Sequence, residues 1–492
     1  MNLRPPRLFF SYGFLVAVLI LSGCATQSNA PQLGAAADQE EFNDPLEDTN
    51  RAIFDFNQGV DRNVLVPVAK AYRTVLPDPV RDALRDFLRN LRGPLIFVND
   101  AFQGDFERAG QTFARFALNS TVGLAGFVDV VGRWGQLPYH EEDLGLTFGV
   151  WGIPEGPYLV IPVLGPSNPR DLVGQVGEGF GDPWNVLVTG NPWNLRWIPA
   201  VRGGVSGIDQ RSRYIETLAD IERTSLDYYA TIRSLYRQRR AALIRHEKEQ
   251  NLPPPSSFAQ RGSPSASAAT KSPAAQKAFV SEAANVPEVS IMRRRSVLTG
   301  SLILIAVALV PAALAAADPA AVITNLGNRA LDVLGKNATP AQRVARFQEL
   351  FREDFDVPGI ARFVLGRYWK TATPEQQAEF VKLFEDYIAL VYSSQLAAYS
   401  GETLKVTGSR PGPEGAIVAS EIVRPTGAPP VKVEWHLTDR NGTYKISDVA
   451  VDGISMAVTQ RSEFAAVIQR NGGQVQGLIT QLREKTGNSV PR

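Results

Sequence analysis

The side chains whose types could do chemistry are few. The sequence holds three histidines, His140, His246 and His436, and one cysteine, Cys24. The residues around the histidines place them on a loop, at the end of a charged helix and on the wet face of a strand, far apart in the chain. No HExxH run, cysteine pair, glycine-rich phosphate loop or kinase set accompanies them, so their spacing offers no metal cluster. Gly453, Ile454, Ser455, Met456 and Ala457 spell a Gly-x-Ser-x-Ala pattern like that of a hydrolase elbow. An elbow needs a strand-to-helix turn in a parallel sheet and a histidine later in the chain. No histidine follows Ser455, which favours a turn hydroxyl and makes a lipid hydrolase the weaker reading.

Cys24 is placed for a different reaction. Arg4 and Arg7 precede the apolar run Leu8 to Leu21, and Leu21, Ser22, Gly23 and Cys24 then form a lipobox. This is a signal peptide of the lipoprotein kind over residues 1–24, with the Cys24 sulfur as the acylation site. Several acyl chains on one N-terminus exceed the two signals that stable anchoring requires. Ala25, in place of an acidic residue, agrees with an outer-membrane address.

These groups must be carried by more than one core. A chain of 492 residues with globular composition predicts two domains. Fifty-one basic residues against fifty acidic ones leave no general field for nucleic acid. From residue 41 to 247 the signals are helical. Asp78 and Pro79 open a helix in which Val80, Leu84, Phe87 and Leu91 recur at helical spacing, and Gly93 and Pro94 are expected to stop it. Phe106, Gly110, Phe113 and Ala117 repeat the period. Asp209 is expected to open a long charged helix marked by Ile215, Leu218, Tyr229, Ile232 and Leu235. No run of alternating strands is visible in this half. Gly123 to Gly132 and Leu144 to Pro166 are apolar, broken by glycine and proline, and too short to span a bilayer. Phe127, Trp134, Phe148, Trp151 and Tyr158 in them suit a membrane interface, and buried loops packed on helices are an equal reading.

Residues 248–290 read as a disordered linker, rich in Pro, Ser, Ala and Gln. A second export-like segment follows at 291–317, with Arg293 to Arg295, an apolar run from Val297 to Leu314, and an Ala-x-Ala site at Ala313 to Ala315. Met292 then was, or still is, the start of a separate exported protein, or the segment is cleaved after translocation. Residues 318–492 have α+β grammar, helices first and antiparallel strands after. Thr339, Pro340 and Gln342, and again Thr373, Pro374 and Gln376, spell capping boxes with proline at the first helical position. Val344, Phe347 and Phe351 follow the first, and Phe380, Phe384, Tyr387 and Val391 the second. Val431, Val433, Trp435 and Leu437 alternate with Lys432, Glu434 and His436 as a half-buried strand. Asn441 and Gly442 turn it into a strand from Tyr444 to Val451. Val475, Leu478, Ile479 and Leu482 mark a last helix.

The first domain resembles the VacJ/MlaA family of outer-membrane lipoproteins. The resemblance rests on Asp44-Pro45-Leu46-Glu47 with Asn50, Arg51, Phe54, Phe56 and Asn57, and on Phe102-Gln103-Gly104-Asp105. Arg115, Phe116, Leu118 and Asn119 lead on to Gly123, Gly126, Phe127 and Asp129, and Gly156, Pro157, Tyr158, Ile161, Pro162, Gly165, Arg170 and Asp171 complete it. The last part resembles the MlaC family, also called toluene-tolerance periplasmic proteins, through Leu365 to Trp369 with Thr373, Pro374 and Gln376, and through Pro430, Val431 and Gly453 to Met456. Family members are usually separate proteins; here one chain holds both. The resemblance implies retrograde phospholipid transport that keeps the outer leaflet free of misplaced phospholipid. A membrane-embedded helical ring would sit in the outer membrane beside a trimeric porin, with a polar channel and with Gly123 and Gly126 as a hinge beside it. A periplasmic carrier with helices packed on a curved antiparallel sheet would hand lipid to an inner-membrane ABC-type transporter. Leu365, Tyr368, Phe380, Phe384, Tyr387, Trp435, Val449 and Met456 are candidates to line its cavity, with Arg367 and Lys370 at the mouth. Ordinary core packing serves any one of the apolar residues equally well. No cofactor is expected beyond phospholipid as cargo. A structural lipoprotein tethering another envelope component is the competing non-enzymatic reading.

Overall fold

The computed structural model describes residues 43–135, 137–189, 197–250, 318–333, 340–396, 401–425 and 430–487. Cys24, nearly all of the linker and the export-like segment 291–317 lie outside them. Helix α1 (Glu47–Val60) passes through a π-helical turn into α2 (Val66–Val75), and α3 runs from Asp78 to Gln103. The helix therefore continues straight through Gly93 and Pro94, where the sequence pattern ends it. Pro94 removes one amide from the ladder, but the next turns bury Ile96, Asn99 and Asp100. Gly93 lets α4 (Phe106–Thr121) approach, since a Cβ there would lie 3.1 Å from the Phe116 side chain. Packing thus outweighs the breaker. Gly104, at φ 84°, ends α3, and Asp105 caps α4 by accepting from the Arg108 amide at 2.9 Å.

Short helices α5 (Val130–Trp134) and α6 (Leu144–Val150) are capped by Asp129 and Asp143. Between α6 and α7 (Pro169–Gly181), strands β1 (Leu159–Ile161) and β2 (Gly165–Ser167) pair antiparallel. This hairpin corrects the expectation of a strand-free domain; three residues per strand are too few for alternation to register. Asn50 and Asn57 of α1 hold it: Asn50 donates to the Tyr158 carbonyl just before β1 and accepts from the Val160 amide, and Asn57 donates to the Ile161 carbonyl and accepts from the Val163 amide, at 2.7–3.0 Å.

Helices α8 (Pro183–Thr189), α9 (Ile198–Arg213), α10 (Ile215–Thr224) and α11 (Tyr228–Gln250) follow. The single helix expected to open at Asp209 is thus three. Asp209 sits inside α9, its buried carboxylate taken by Arg85 at 3.1 Å and the Tyr72 hydroxyl at 3.2 Å rather than by free helix amides. The chain turns extended at Ser225, and Asp227 starts α11 afresh by accepting from the Ala230 amide.

The C-terminal module begins with α12 (Pro319–Val333), α13 (Pro340–Asp354), α14 (Val357–Leu365), a 3-10 turn over Gly366–Lys370, and α15 (Pro374–Leu396). Thr373 and Gln376 form the reciprocal capping box, at 3.1 and 3.2 Å; Thr339 of the other lies outside the described residues. Strands β3 (Thr403–Gly412), β4 (Gly415–Val423), β5 (Val431–Arg440), β6 (Thr443–Val451) and β7 (Ile454–Ser455) form one antiparallel sheet in chain order. Asn441 and Gly442, both at positive φ, make the expected turn. Helices α16 (Met456–Arg470) and α17 (Val475–Gly487) close the module. One apolar cluster joins helices α13, α14, α15, α16 and α17, and a second lies between α12 and the sheet.

Gly123 and Gly126 lie in the tight turn after α4, where Leu124 and Ala125 also adopt positive φ. At Gly126 (φ +94°) a Cβ would stand 2.5 Å from the Asn90 side chain, and at Gly123 2.3 Å from the Val128 carbonyl. Gly126→Ala is expected to destabilise the first module by about 1–3 kcal/mol. Calorimetry should show its transition falling while that of the C-terminal module stays, and an unmoved first transition would refute the assignment.

Candidate functional site

The first module has an inverted polarity. On α3, Asn90, Asn99 and Asp100 are buried and Asp86 is half-buried, while Phe97, Val98 and Phe102 are exposed. On α4, Thr112, Arg115 and Asn119 are buried and Phe106, Phe113 and Leu118 face out. Phe106 and Trp134 are each 76 % exposed and Phe180 77 %, values that make these side chains part of an outer surface rather than of any core within the module. The Phe106, Phe113 repeat seen in the sequence therefore belongs to the outside.

The inward groups satisfy one another. Arg115 pairs with Asp129 at 2.6 Å, and Asn119 donates to the same carboxylate at 2.8 Å. Asn90 donates to Ser120 at 2.8 Å and Thr112 to Asp100 at 2.7 Å. They surround a cavity of about 30 Å³, lined in part by Asn90, Arg115, Asp129, Tyr139 and His140, large enough for a water molecule or two. Gly126 packs on Asn90 at its wall. The fold also brings together Asp100, His140 and Glu142, whose ligand atoms lie within 4.8 Å of one another. They could hold a cation, but Thr112 and Gln103 already donate to the two carboxylates, and His140 Nε2 lies 3.0 Å from Asp100. Sequence reasoning missed this polar lining; its signal is the recurrence of Asn, Asp, Thr and Arg at helical spacing opposite the aromatic stripe.

In the second module the candidate lining residues divide between the two clusters. Leu365, Tyr368, Phe380, Phe384 and Tyr387 are buried together among the helices. Trp435 and Val449 pack on the sheet side, and Met456 accepts from the Tyr392 hydroxyl at 3.3 Å. Phe355 packs against both clusters. Arg367 and Lys370 are exposed, and Arg367 lies over the Tyr368 ring at 4.8 Å while donating to its hydroxyl. Gly123 and Gly126 belong to the other module, as described above. Ser455 is the N-cap of α16, its Oγ accepting from the Val458 amide at 3.0 Å. The antiparallel setting of β7 and this bond give the hydroxyl a structural task. Ser455→Ala should cost about 1 kcal/mol, as the loss of a helix cap does, with no change in lipid binding; loss of binding in a protein of wild-type stability would contradict a purely capping role.

Residues 42–243 match the family model described as MlaA lipoprotein, and residues 325–484 that described as MlaC protein. Over 227 residues the chain is 34% identical to the intermembrane phospholipid transport system lipoprotein MlaA of Haemophilus influenzae, covering 46% of this chain and 86% of that protein. Its identity to the Escherichia coli protein of the same name is 34% over 224 residues, 45% of this chain and 82% of the other. A solved structure from work on the structural basis for maintenance of bacterial outer membrane lipid asymmetry is 34% identical and matches 41% of this chain and 98% of its own, with a TM-score of 0.38.

Proposed function

The chain belongs to the MlaA lipoprotein family and carries an MlaC module in the same polypeptide, and from that premise we propose that it moves phospholipid between the two membranes of the Gram-negative envelope. The observation that carries this reading is the inverted polarity of the first module. A surface bearing Phe102, Phe106, Phe113, Trp134, Trp151 and Phe180 is costly in water and favourable in the acyl region of a leaflet. Among the described residues no helix is long and apolar enough to cross a membrane, so the module sits in one leaflet, anchored through Cys24. At membrane depth, polar groups survive only where the protein encloses them, as Asn90, Arg115, Asn119 and Asp129 are enclosed. A head group would pass along this polar side only once those paired groups part, since the space between them holds no more than a water or two, in a module set beside a porin in the outer membrane.

The second module solves the other half of the problem. A phospholipid with roughly 30 acyl methylenes, at about 0.8 kcal/mol each, costs on the order of 20 kcal/mol to expose to water. The periplasm is crossed only if the tails are wrapped. On this reading the acyl chains part the helical cluster from the sheet cluster near Phe355, which brings Tyr368, Phe384, Trp435 and Val449 to one lipid-facing surface. The carrier then delivers to an inner-membrane ABC-type transporter, in the retrograde direction. Neither module needs a nucleophile, and Ser455 is occupied as a cap.

The full chain, purified in mild detergent from an outer-membrane fraction, should yield about one phospholipid per carrier module on organic extraction and mass spectrometry. A chain free of phospholipid would leave the structural-tether reading in its place, and release of free fatty acid from added phospholipid would favour the hydrolase.

A further inference from the structure

Helix α16 carries Thr459, Gln460, Arg461, Ser462 and Glu463 in succession, and all are buried. A surface helix of a free-standing carrier turns its polar side to water. Here Ser455, Thr459 and Glu463, spaced four residues apart on one face, lie instead against α11 and the chain that leads into it. Gln238 of α11 accepts from the Ser455 amide at 2.8 Å and donates to the Thr459 hydroxyl at 2.9 Å. The Glu463 carboxyl, 1 % exposed, accepts from the Asp227 amide at 2.9 Å and from the Leu226 amide. Arg470 reaches the Asp227 carboxylate at 3.1 Å, which Arg51 already holds at 2.7 Å.

The ends of two helices are matched in the sense their dipoles require. Glu463 approaches the N-terminus of α11, and Lys485 of α17 donates to the Arg223 and Ser225 carbonyls at the C-terminus of α10, at 2.6 and 3.1 Å. The Tyr387 hydroxyl donates to the Thr224 carbonyl at 3.0 Å. The Gly453 backbone approaches α11 closely: a Cβ there would stand 2.6 Å from the Ala242 methyl. Permanent interfaces resemble a cut core, whereas those that open are more polar. This one is lined mainly by amides, hydroxyls and charges on both sides, with Leu226 as the apolar side chain that packs against the carrier's helical cluster.

We propose that α10, α11 and α16 form a reversible dock, on which the carrier module seats against the lipoprotein module of its own chain and from which it departs, with Glu463 as the key group. The dock rests on the two-module organisation and not on the identity of the cargo. The groups facing Glu463 are Asp227 with its partners Arg51 and Arg470, Lys485, and the hydroxyls of Tyr387 and Tyr392. Burial, joined by the Asp227 charge and opposed by the two amides and Lys485, pushes the docked carboxyl up to about 7. Undocked, it regains water and falls toward the ordinary glutamate value of about 4.3. A group raised in the docked state favours docking at low pH and loses that contribution as pH rises through its docked value. Docking should therefore weaken about tenfold from pH 6 to pH 8.

The test uses the full chain in detergent, with a protease site placed between residues 260 and 270 and a tag on the lipoprotein module. After cutting, the carrier fragment should stay with the tagged module at pH 6 and be released about tenfold more readily at pH 8. Glu463→Gln should stay docked and lose the pH dependence, and Ala242→Trp, a wedge against Gly453, should release the carrier at both pH values. In the uncut chain, Ala242→Trp should also speed hydrogen exchange of the Ser455 and Asp227 amides while the helical content holds, so that release is distinguished from unfolding. Separation of the wild-type halves at both pH values would overturn the dock. So would retention indifferent to pH and to both substitutions. Loss of lipid with docking intact would instead overturn the transport reading alone.

Discussion

Polar groups buried beneath an exposed aromatic surface must find their hydrogen-bond partners within the protein. That constraint organises the first module. Phe102, Phe106 and Phe113 occupy the outside, and the buried carboxylates of α3 and α4 and their neighbours are met by partners within the protein. Asp129 meets the constraint by taking Arg115 and Asn119 while capping α5. Asp100 meets it through Thr112 and His140. Between α3 and α4 the interior that results is polar and hydrogen-bonded, while Phe54, Tyr158, Val160 and Tyr229 form a separate apolar cluster of the same module.

Helix α11 holds this arrangement together from one side. Arg233 is buried against Asp44 at 2.8 Å, Arg237 reaches Glu155 at 2.6 Å, and Arg240 bridges Asp143 at 2.5 Å and Asp171 at 2.8 Å. Spaced at i, i+4 and i+7, these guanidiniums lie along one face and tie the chain before α1, the loop before β1, and the starts of α6 and α7 to a single helix. Removing one partner from such a buried pair costs about 3–5 kcal/mol, because the other is left charged and unsolvated. Asp227 and Gln238 lie on the remaining surface of the same helix, where the second module seats. One helix thus fixes the lipoprotein module internally and presents it externally.

The parts legible in the sequence were those whose signal is local. The Thr373 and Gln376 capping box, the Asn441-Gly442 turn and the Phe380, Phe384, Tyr387 stripe are each written within a few residues, and each forms. The misreadings came where distant packing decides. Pro94 stays inside α3 because α4 covers the turns beyond it, and Asp209 stays inside α9 because Arg85 and Tyr72 claim its carboxylate. Helix α16 buries its polar face, Thr459 to Glu463 included, as fully as the apolar one of Phe464, Val467 and Ile468, which its sequence pattern does not foretell. The outward sense of the Phe106 and Phe113 repeat was equally hidden, for spacing defines a face and leaves open which way it points. Resemblance identified the two modules, and only the fold showed where they touch.

That contact bears on what joining the modules in one chain achieves. A tether alone raises the local concentration of donor and acceptor, whatever their orientation. Lipid transfer needs more, because tails must pass from one enclosure to another without meeting water, and misalignment exposes them at about 0.8 kcal/mol per methylene. Seating α16 on α11 selects one orientation, through contacts specific enough that a single methyl at Gly453 would collide. Making that seat polar keeps its net strength modest, since each hydrogen bond gained replaces one to water. An apolar seam of the same extent would hold the carrier permanently and defeat its purpose. The burial of Glu463 fits the same logic: a carboxyl that docks only at some expense leaves the module able to let go.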